Sequence, residues 1–178
     1  MKNLVLAGMK HSGKSTLGKA LAREKNLEFF DLDDLLVLED PEKRSLSARQ
    51  IYRDLGKEVF QSWEAKAAQK ISTRPGPWVL ALGGGSIQNP QVLETLKSQD
   101  LRVFLQEDSK ILFERIMAGG LPAFLSPGNP WGDFQQIYAQ RTALMEDWCH
   151  LKLPLHGADI PEALRLLTAL LKENDHGW

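Results

Sequence analysis

Gly8-Met9-Lys10-His11-Ser12-Gly13-Lys14-Ser15 satisfies the spacing G-x-x-x-x-G-K-S/T and lies between an apolar run and an amphipathic one. That context dictates a strand, a tight glycine loop and a helix. Leu4-Val5-Leu6-Ala7 is too short for an independent helix and is closed by Gly8, so it reads as a buried strand. A helix is predicted over 13–23, with Leu17, Ala20 and Leu21 facing inward. In such a loop successive N–H groups and the helix N-terminus converge on phosphate oxygens, while a lysine adds a point charge and a hydroxyl offers a Mg²⁺ ligand. Gly8, Ser12, Gly13, Lys14, Ser15 and Thr16 are therefore candidate binding residues for ATP, Lys14 is also a catalytic candidate, and Ser15 is a candidate for Mg²⁺. Lys10 and His11 occupy variable positions of the loop and are expected to be solvent-exposed, without a specific role.

The strand-then-helix alternation recurs. Short apolar runs at 28–30, 78–82, 101–105 and 151–155 read as strands separated by amphipathic helical pattern, which is the signature of an α/β fold. The expectation from the five runs is a five-stranded parallel sheet with helices on both faces; the resemblance described below makes this a P-loop kinase fold with a lid. Asn89 before Pro90 and the proline at Pro161 mark helix starts. Between 119 and 133 the text turns to Gly, Pro, Ser and Asn with Phe124 and Trp131 interspersed, a loop of the length that commonly serves as a lid. The tail 173–178 is expected to fray.

With 178 residues the chain suits one domain, expected over 1–178. A content of 43% hydrophobic and 25% charged residues, with no run of membrane-spanning length, argues against disorder and membrane insertion. The net charge of −1 provides no broad field for nucleic acid or anionic lipid, so the expected partner is a small molecule held at a local site. Cys149 has no second cysteine to pair with and reads as a small buried side chain in a helix; a cytoplasmic monomer is expected.

Two further features belong to strand ends. Phe29-Phe30-Asp31-Leu32-Asp33-Asp34 places carboxylates just beyond the second strand, on the side where open α/β sheets bind ligands. Asp31 suits Mg²⁺ held through water, Asp33 suits a base that orients an attacking hydroxyl, and Asp34 suits a helix cap. Gly83-Gly84-Gly85 follows another apolar run, so backbone there is free to approach a ligand closely as a wall of an acceptor pocket.

Together these residues resemble the shikimate kinase family of P-loop small-molecule kinases. The resemblance spans nearly the whole chain: the P-loop, Asp31-Leu32-Asp33, Gly56 with Phe60 and Glu64, the triple glycine, Arg115 ahead of a lid, and Arg141 with Leu144. It implies transfer of the ATP γ-phosphoryl group to the 3-hydroxyl of shikimate, with an acceptor-binding helical region over 33–72 and a lid over 118–133. It further implies that Asp33 binds that hydroxyl as base, that Gly83, Gly84, Gly85 and Arg141 contact shikimate, and that Arg115 lies against adenine. An arginine guanidinium fits a carboxylate bidentately, which suits Arg141 to this role.

Two positions depart from the pattern. Gln61 follows Phe60 where the family usually carries arginine, and Leu121 precedes Pro122 where another arginine is usual. No Lys, Arg or His occurs between Arg115 and Arg141, so this segment supplies no cation. Lys57, one helical turn before Gln61, is expected to replace part of the lost carboxylate contact. Kinases of another acceptor, such as a sugar acid or a nucleotide, and a nucleotide-binding pseudokinase acting through a protein partner remain the competing readings.

Overall fold

The central strand β1 (Leu4–Ala7) is buried at every position because it is covered on both faces, which is why its sequence is continuously apolar rather than alternating. In the computed structural model, which describes residues 2–96, 100–122 and 124–174, Leu4 and Leu6 join one core and Val5 and Ala7 the other. Around β1 lie β2 (Glu28–Asp31), β3 (Trp78–Ala81), β4 (Leu101–Gln106) and β5 (Leu151–Pro154). The five form one sheet in the order β2-β3-β1-β4-β5, with every pairing parallel. Each fully buried leucine or valine in these strands contributes about 1.5–3 kcal/mol.

Eight α-helices complete the described fold: α1 (Lys14–Lys25), α2 (Leu32–Val37), α3 (Ala48–Leu55), α4 (Lys57–Ser72), α5 (Pro90–Thr95), α6 (Ser109–Met117), α7 (Pro130–Trp148) and α8 (Ile160–Glu173). Helices α1 and α8 cover one face of the sheet, and α4 to α7 the other. Between β2 and β3 the chain makes a lobe of α2, α3 and α4, with Leu36, Ile51 and Trp63 as its own small core. Asp40 secures the turn after α2 by accepting from the backbone N–H groups of Glu42 and Arg44 and from the Arg44 guanidinium.

The strand order decides where a ligand fits. From β1 the chain crosses toward β2, whereas from β3 it crosses past β1 to β4, so the connections diverge between β1 and β3. Such a switch point leaves a crevice at the carboxyl ends of the two strands.

Several expectations are corrected in detail. The first helix runs to Lys25, and its hidden stripe is Leu17, Gly18, Leu21 and Ala22, while Ala20 is only half-buried. Gly18 is required there because a Cβ would sit 2.6 Å from the Phe29 ring. The loop after α6 ends at Asn129, not at 133, because Asn129 accepts from Gly132 N and Pro130 occupies the first helical turn. This is the same Asn-Pro signal that marks α5. Asp34 does not cap α2; Asp31 does, accepting from Asp33 N. Cys149 lies just beyond α7 in extended backbone, half-buried, and burial pushes its thiol up to about 12. Glu173 closes α8, while residues 175–178 of the expected frayed tail lie outside the described residues.

Candidate active site

The phosphate loop and the triple glycine meet at the crevice between β1 and β3. Gly8 has no space for a side chain, since a Cβ would approach Ser12 Oγ at 2.6 Å and Leu105 O at 2.9 Å. Gly13 has φ of 89°, a left-handed conformation that side-chain-bearing residues rarely adopt, and it hands the chain to α1. Ser12 is buried in the loop, and Thr16 is exposed in the first turn of the helix. Burial is the main reason that the Lys14 ammonium is pushed down to about 8, with Asp33 and Asp31 pulling it up and Arg141 pushing it down. Its Nζ donates to Met9 O at 2.9 Å.

Ser15 and Asp31 come from different elements, α1 and the end of β2, yet Ser15 Oγ donates to Asp31 Oδ2 at 2.5 Å. The other Asp31 oxygen accepts from Asp33 N at 3.0 Å, which fixes the carboxylate toward the loop. Among the described residues no group of three or more His, Cys, Asp or Glu forms a metal cage. A hydroxyl and one carboxylate beside a phosphate cradle nevertheless suit Mg²⁺, which keeps several waters and completes its shell with phosphate oxygens. The donor set and the buried ammonium thus fit MgATP.

Each glycine of the triple run meets a different functional residue. A Cβ on Gly83 would stand 2.5 Å from Asp33 Oδ1 and 2.9 Å from Ser86 Oγ, so the Asp33 carboxylate rests on bare backbone. Burial, reinforced by Asp31, raises the Asp33 pKa, while Lys14 and Lys10 oppose the rise. A Cβ on Gly84 would meet Lys10 N at 3.0 Å, and one on Gly85 would meet Arg141 Nη2 at 3.5 Å. Arg141, projecting from α7, donates from Nη1 to Gly84 O at 3.1 Å and from Nε to Gln88 Oε1 at 2.9 Å. Its guanidinium is thereby held against the glycine wall.

Arg115 belongs to the same rim. Its Nη1 donates to His11 O at 3.1 Å and pairs with Glu107 Oε2 at 3.3 Å. Glu107 is buried and accepts from Asp108 N and Gly157 N through its other oxygen, so Arg115 is braced from below. Lys57 does not join this assembly: it stands exposed at the start of α4, and its ammonium makes no hydrogen bond or ion pair among the described residues. Gln61 is half-buried, and its backbone carbonyl accepts from Asn89 Nδ2 at 3.0 Å.

Sequence reasoning named Glu64 only as part of the family pattern and gave no residue the role of bracing the wall. Glu64, on the buried side of α4, accepts from Ser86 Oγ at 2.5 Å and from Asn89 Nδ2 at 2.8 Å, tying α4 to the turn that follows the glycines. Burial raises the Glu64 pKa and these two hydrogen bonds oppose it. A carboxylate between Trp63 and Ala67 on an apolar helix face was the available signal, because a buried charge demands partners. Tyr52 was also missed: its ring meets Phe60 edge-on at 5.5 Å.

The chain resembles known proteins along nearly its whole length. Residues 10–159 match the family described as shikimate kinase. A shikimate kinase from Chlamydia pneumoniae is 30% identical over 175 residues, covering 95% of this chain and 98% of that protein. Among solved structures, a shikimate kinase from Acinetobacter baumannii in complex with shikimate superposes with a TM-score of 0.85 at 23% identity, covering 99% of this chain and 96% of that one. A gluconokinase from Sinorhizobium meliloti shares the fold at a TM-score of 0.63 and 18% identity, covering 99% and 94%.

Proposed function

The chain belongs to the shikimate kinase family and is a phosphotransferase with an alcohol group as acceptor, and from that premise we propose that it phosphorylates shikimate at the 3-hydroxyl, using MgATP. The observation that carries this reading is that Asp33 and Arg141 both rest on the wall of Gly83, Gly84 and Gly85, with the Lys14 ammonium close enough to feel both charges. Bound MgATP supplies the phosphoryl group. Gly8, Ser12, Gly13, Lys14, Ser15 and Thr16 would hold the phosphates, Ser15 and Asp31 would hold Mg²⁺, and Arg115 would flank the adenine. Asp33 orients the acceptor hydroxyl and takes its proton, while Arg141 grips the acceptor carboxylate.

The lobe over 33–72 serves as the acceptor-binding region and the segment from 118 to the start of α7 as the lid. Gln61 and Lys57 would meet the acceptor from α4, with Lys57 offering a point charge in place of a guanidinium fork. No helix among the described residues is long and apolar enough to cross a membrane.

ATP consumption with shikimate, and then with hydroxy acids, sugars and nucleoside monophosphates, tests the reading. Turnover with shikimate and not with the panel supports it. Turnover only with another acceptor transfers the assignment to that compound, a result consistent with the exposed Phe124 and Trp131 near a cation-free segment. MgATP binding without any acceptor-dependent turnover would replace it with a nucleotide-binding role exercised through a protein partner.

A further inference from the structure

This inference rests on the reading that the crevice transfers a phosphoryl group. Such a transfer spreads negative charge over the moving group, and a cation placed there is worth about 10³–10⁵ in rate. The segment between α6 and α7 brings none, because no Lys, Arg or His occurs between Arg115 and Arg141. Lys14, Arg115 and Arg141, the cations that the structure brings to the crevice, are each tied down. Lys14 Nζ lies on Met9 O, Arg115 on His11 O and Glu107, and Arg141 on Gly84 O and Gln88.

Lys10 differs from them. It is exposed, and its ammonium makes no hydrogen bond or ion pair among the described residues. Its backbone is pressed against the glycine wall: a Cβ on Gly84 would lie 3.0 Å from Lys10 N, 3.2 Å from its Cβ and 3.3 Å from its Cα. The side chain therefore starts at the seam between the phosphate loop and the wall. On one side of that seam Gly83 carries Asp33, and on the other Gly84 O holds Arg141. A flexible four-carbon stem anchored at this point reaches toward either reactant.

We propose that Lys10 is a catalytic residue, whose ammonium contacts the phosphoryl group in transit and supplies from the phosphate loop the charge that the segment after α6 lacks. In the step, the acceptor oxygen forms a bond to the γ-phosphorus as the bond to the bridging oxygen breaks. The hydroxyl proton passes to the Asp33 carboxylate, and ADP leaves with the electron pair of the broken bond. Lys10 moves no proton and stabilises the charge that builds on the transferred group. Lys14, held deeper in the loop, neutralises the nucleotide side.

The test compares the parent with Lys10→Met and Lys10→Arg in the full chain, with thermal unfolding confirming that each variant folds. Three measurements are made: shikimate-dependent turnover, acceptor-free ATP hydrolysis, and calorimetric affinity for MgADP with aluminium fluoride beside a non-hydrolysable MgATP analogue. Lys10→Met is expected to lower both rates about 100-fold and to weaken the fluoride complex comparably, leaving the ground-state analogue within about threefold. Lys10→Arg keeps most of the activity. Rates within about threefold of the parent in Lys10→Met overturn the proposal, as does an equal loss of affinity for both analogues, which marks uniform binding. A parent inert toward shikimate sinks the acceptor assignment alone, since hydrolysis and the fluoride complex still judge Lys10.

Discussion

Gln88 Oε1 accepts a hydrogen bond from Arg141 Nε at 2.9 Å, so a residue from the turn after β3 sets the angle of a guanidinium from α7. Gln88→Leu removes that acceptor while Gly84 O still holds Nη1. A hydrogen bond to a charged group contributes about 1.5–3 kcal/mol, so the acceptor KM is expected to rise roughly tenfold or more with kcat little changed. Steady-state kinetics decide it: a drop in kcat at constant KM would show that Gln88 does not act through Arg141.

Gly83 has no tolerance for a methyl group, whose nearest neighbour would be Asp33 Oδ1 at 2.5 Å. Gly83→Ala is expected to displace the base and cost about 100-fold in kcat, in line with an ångström-scale misplacement of a reacting group. Gly128→Ala, which meets nothing within 4 Å, is the matched control and should be silent. Parent-like turnover in Gly83→Ala would argue against Asp33 as the base.

Lys14 gives nucleotide binding a pH signature. In the unliganded loop its ammonium is pushed down to about 8, mainly by burial, and phosphate oxygens raise it again. MgATP binding at pH 9 should therefore take up close to one proton, and binding at pH 7 almost none. Affinity should fall above pH 8 by up to about tenfold per unit. Calorimetry in buffers of different ionisation enthalpy measures the uptake, and Lys14→Met should abolish it. The sign for folding is opposite to that of a paired lysine: the charged form destabilises the fold below pH 8, and this penalty fades as pH rises toward the ordinary lysine value.

Asp33 carries the corresponding cost for a carboxylate. Its raised pKa means that the folded state holds the proton at pH values where the unfolded chain has lost it, so ionised Asp33 destabilises the fold at neutral pH. Asp33→Asn is expected to raise the unfolding temperature at pH 7, with the gain shrinking as pH falls through the raised value. The same variant should lose about 10²–10⁴ in acceptor-dependent kcat. A lower unfolding temperature with intact turnover would remove Asp33 from the catalytic role.

Lys57 and Gln61 test the departures from the family pattern. Lys57→Ala should raise the acceptor KM, whereas an unchanged KM would show that the exposed lysine at the start of α4 does not reach the acceptor. Gln61→Arg combined with Leu121→Arg is expected to raise shikimate turnover, since both restore guanidinium groups to an otherwise intact scaffold. No gain in the double variant would locate the acceptor preference elsewhere.

What the sequence determined by itself was local chemistry. A strand closed by Gly8, a loop ended by Gly13-Lys14-Ser15 and carboxylates after Phe30 are legible because each acts within a few bonds of its neighbours. The five strands were legible for the same reason, down to one or two residues at their ends. Even the overlooked start of α7 was present in the text, as the Asn-Pro pair at 129 and 130. Only the tertiary structure decided which of these pieces touch. Gln88 reaches Arg141 across 53 positions and Glu64 reaches Ser86 across 22, and no periodicity encodes such pairings. Lys10 read as a spare exposed lysine until the strand order laid Gly84 against its backbone. The physical reason is that side-chain type is written in the chain, whereas proximity is set by how the parallel crossovers route β1 and β3 to adjacent places in the sheet.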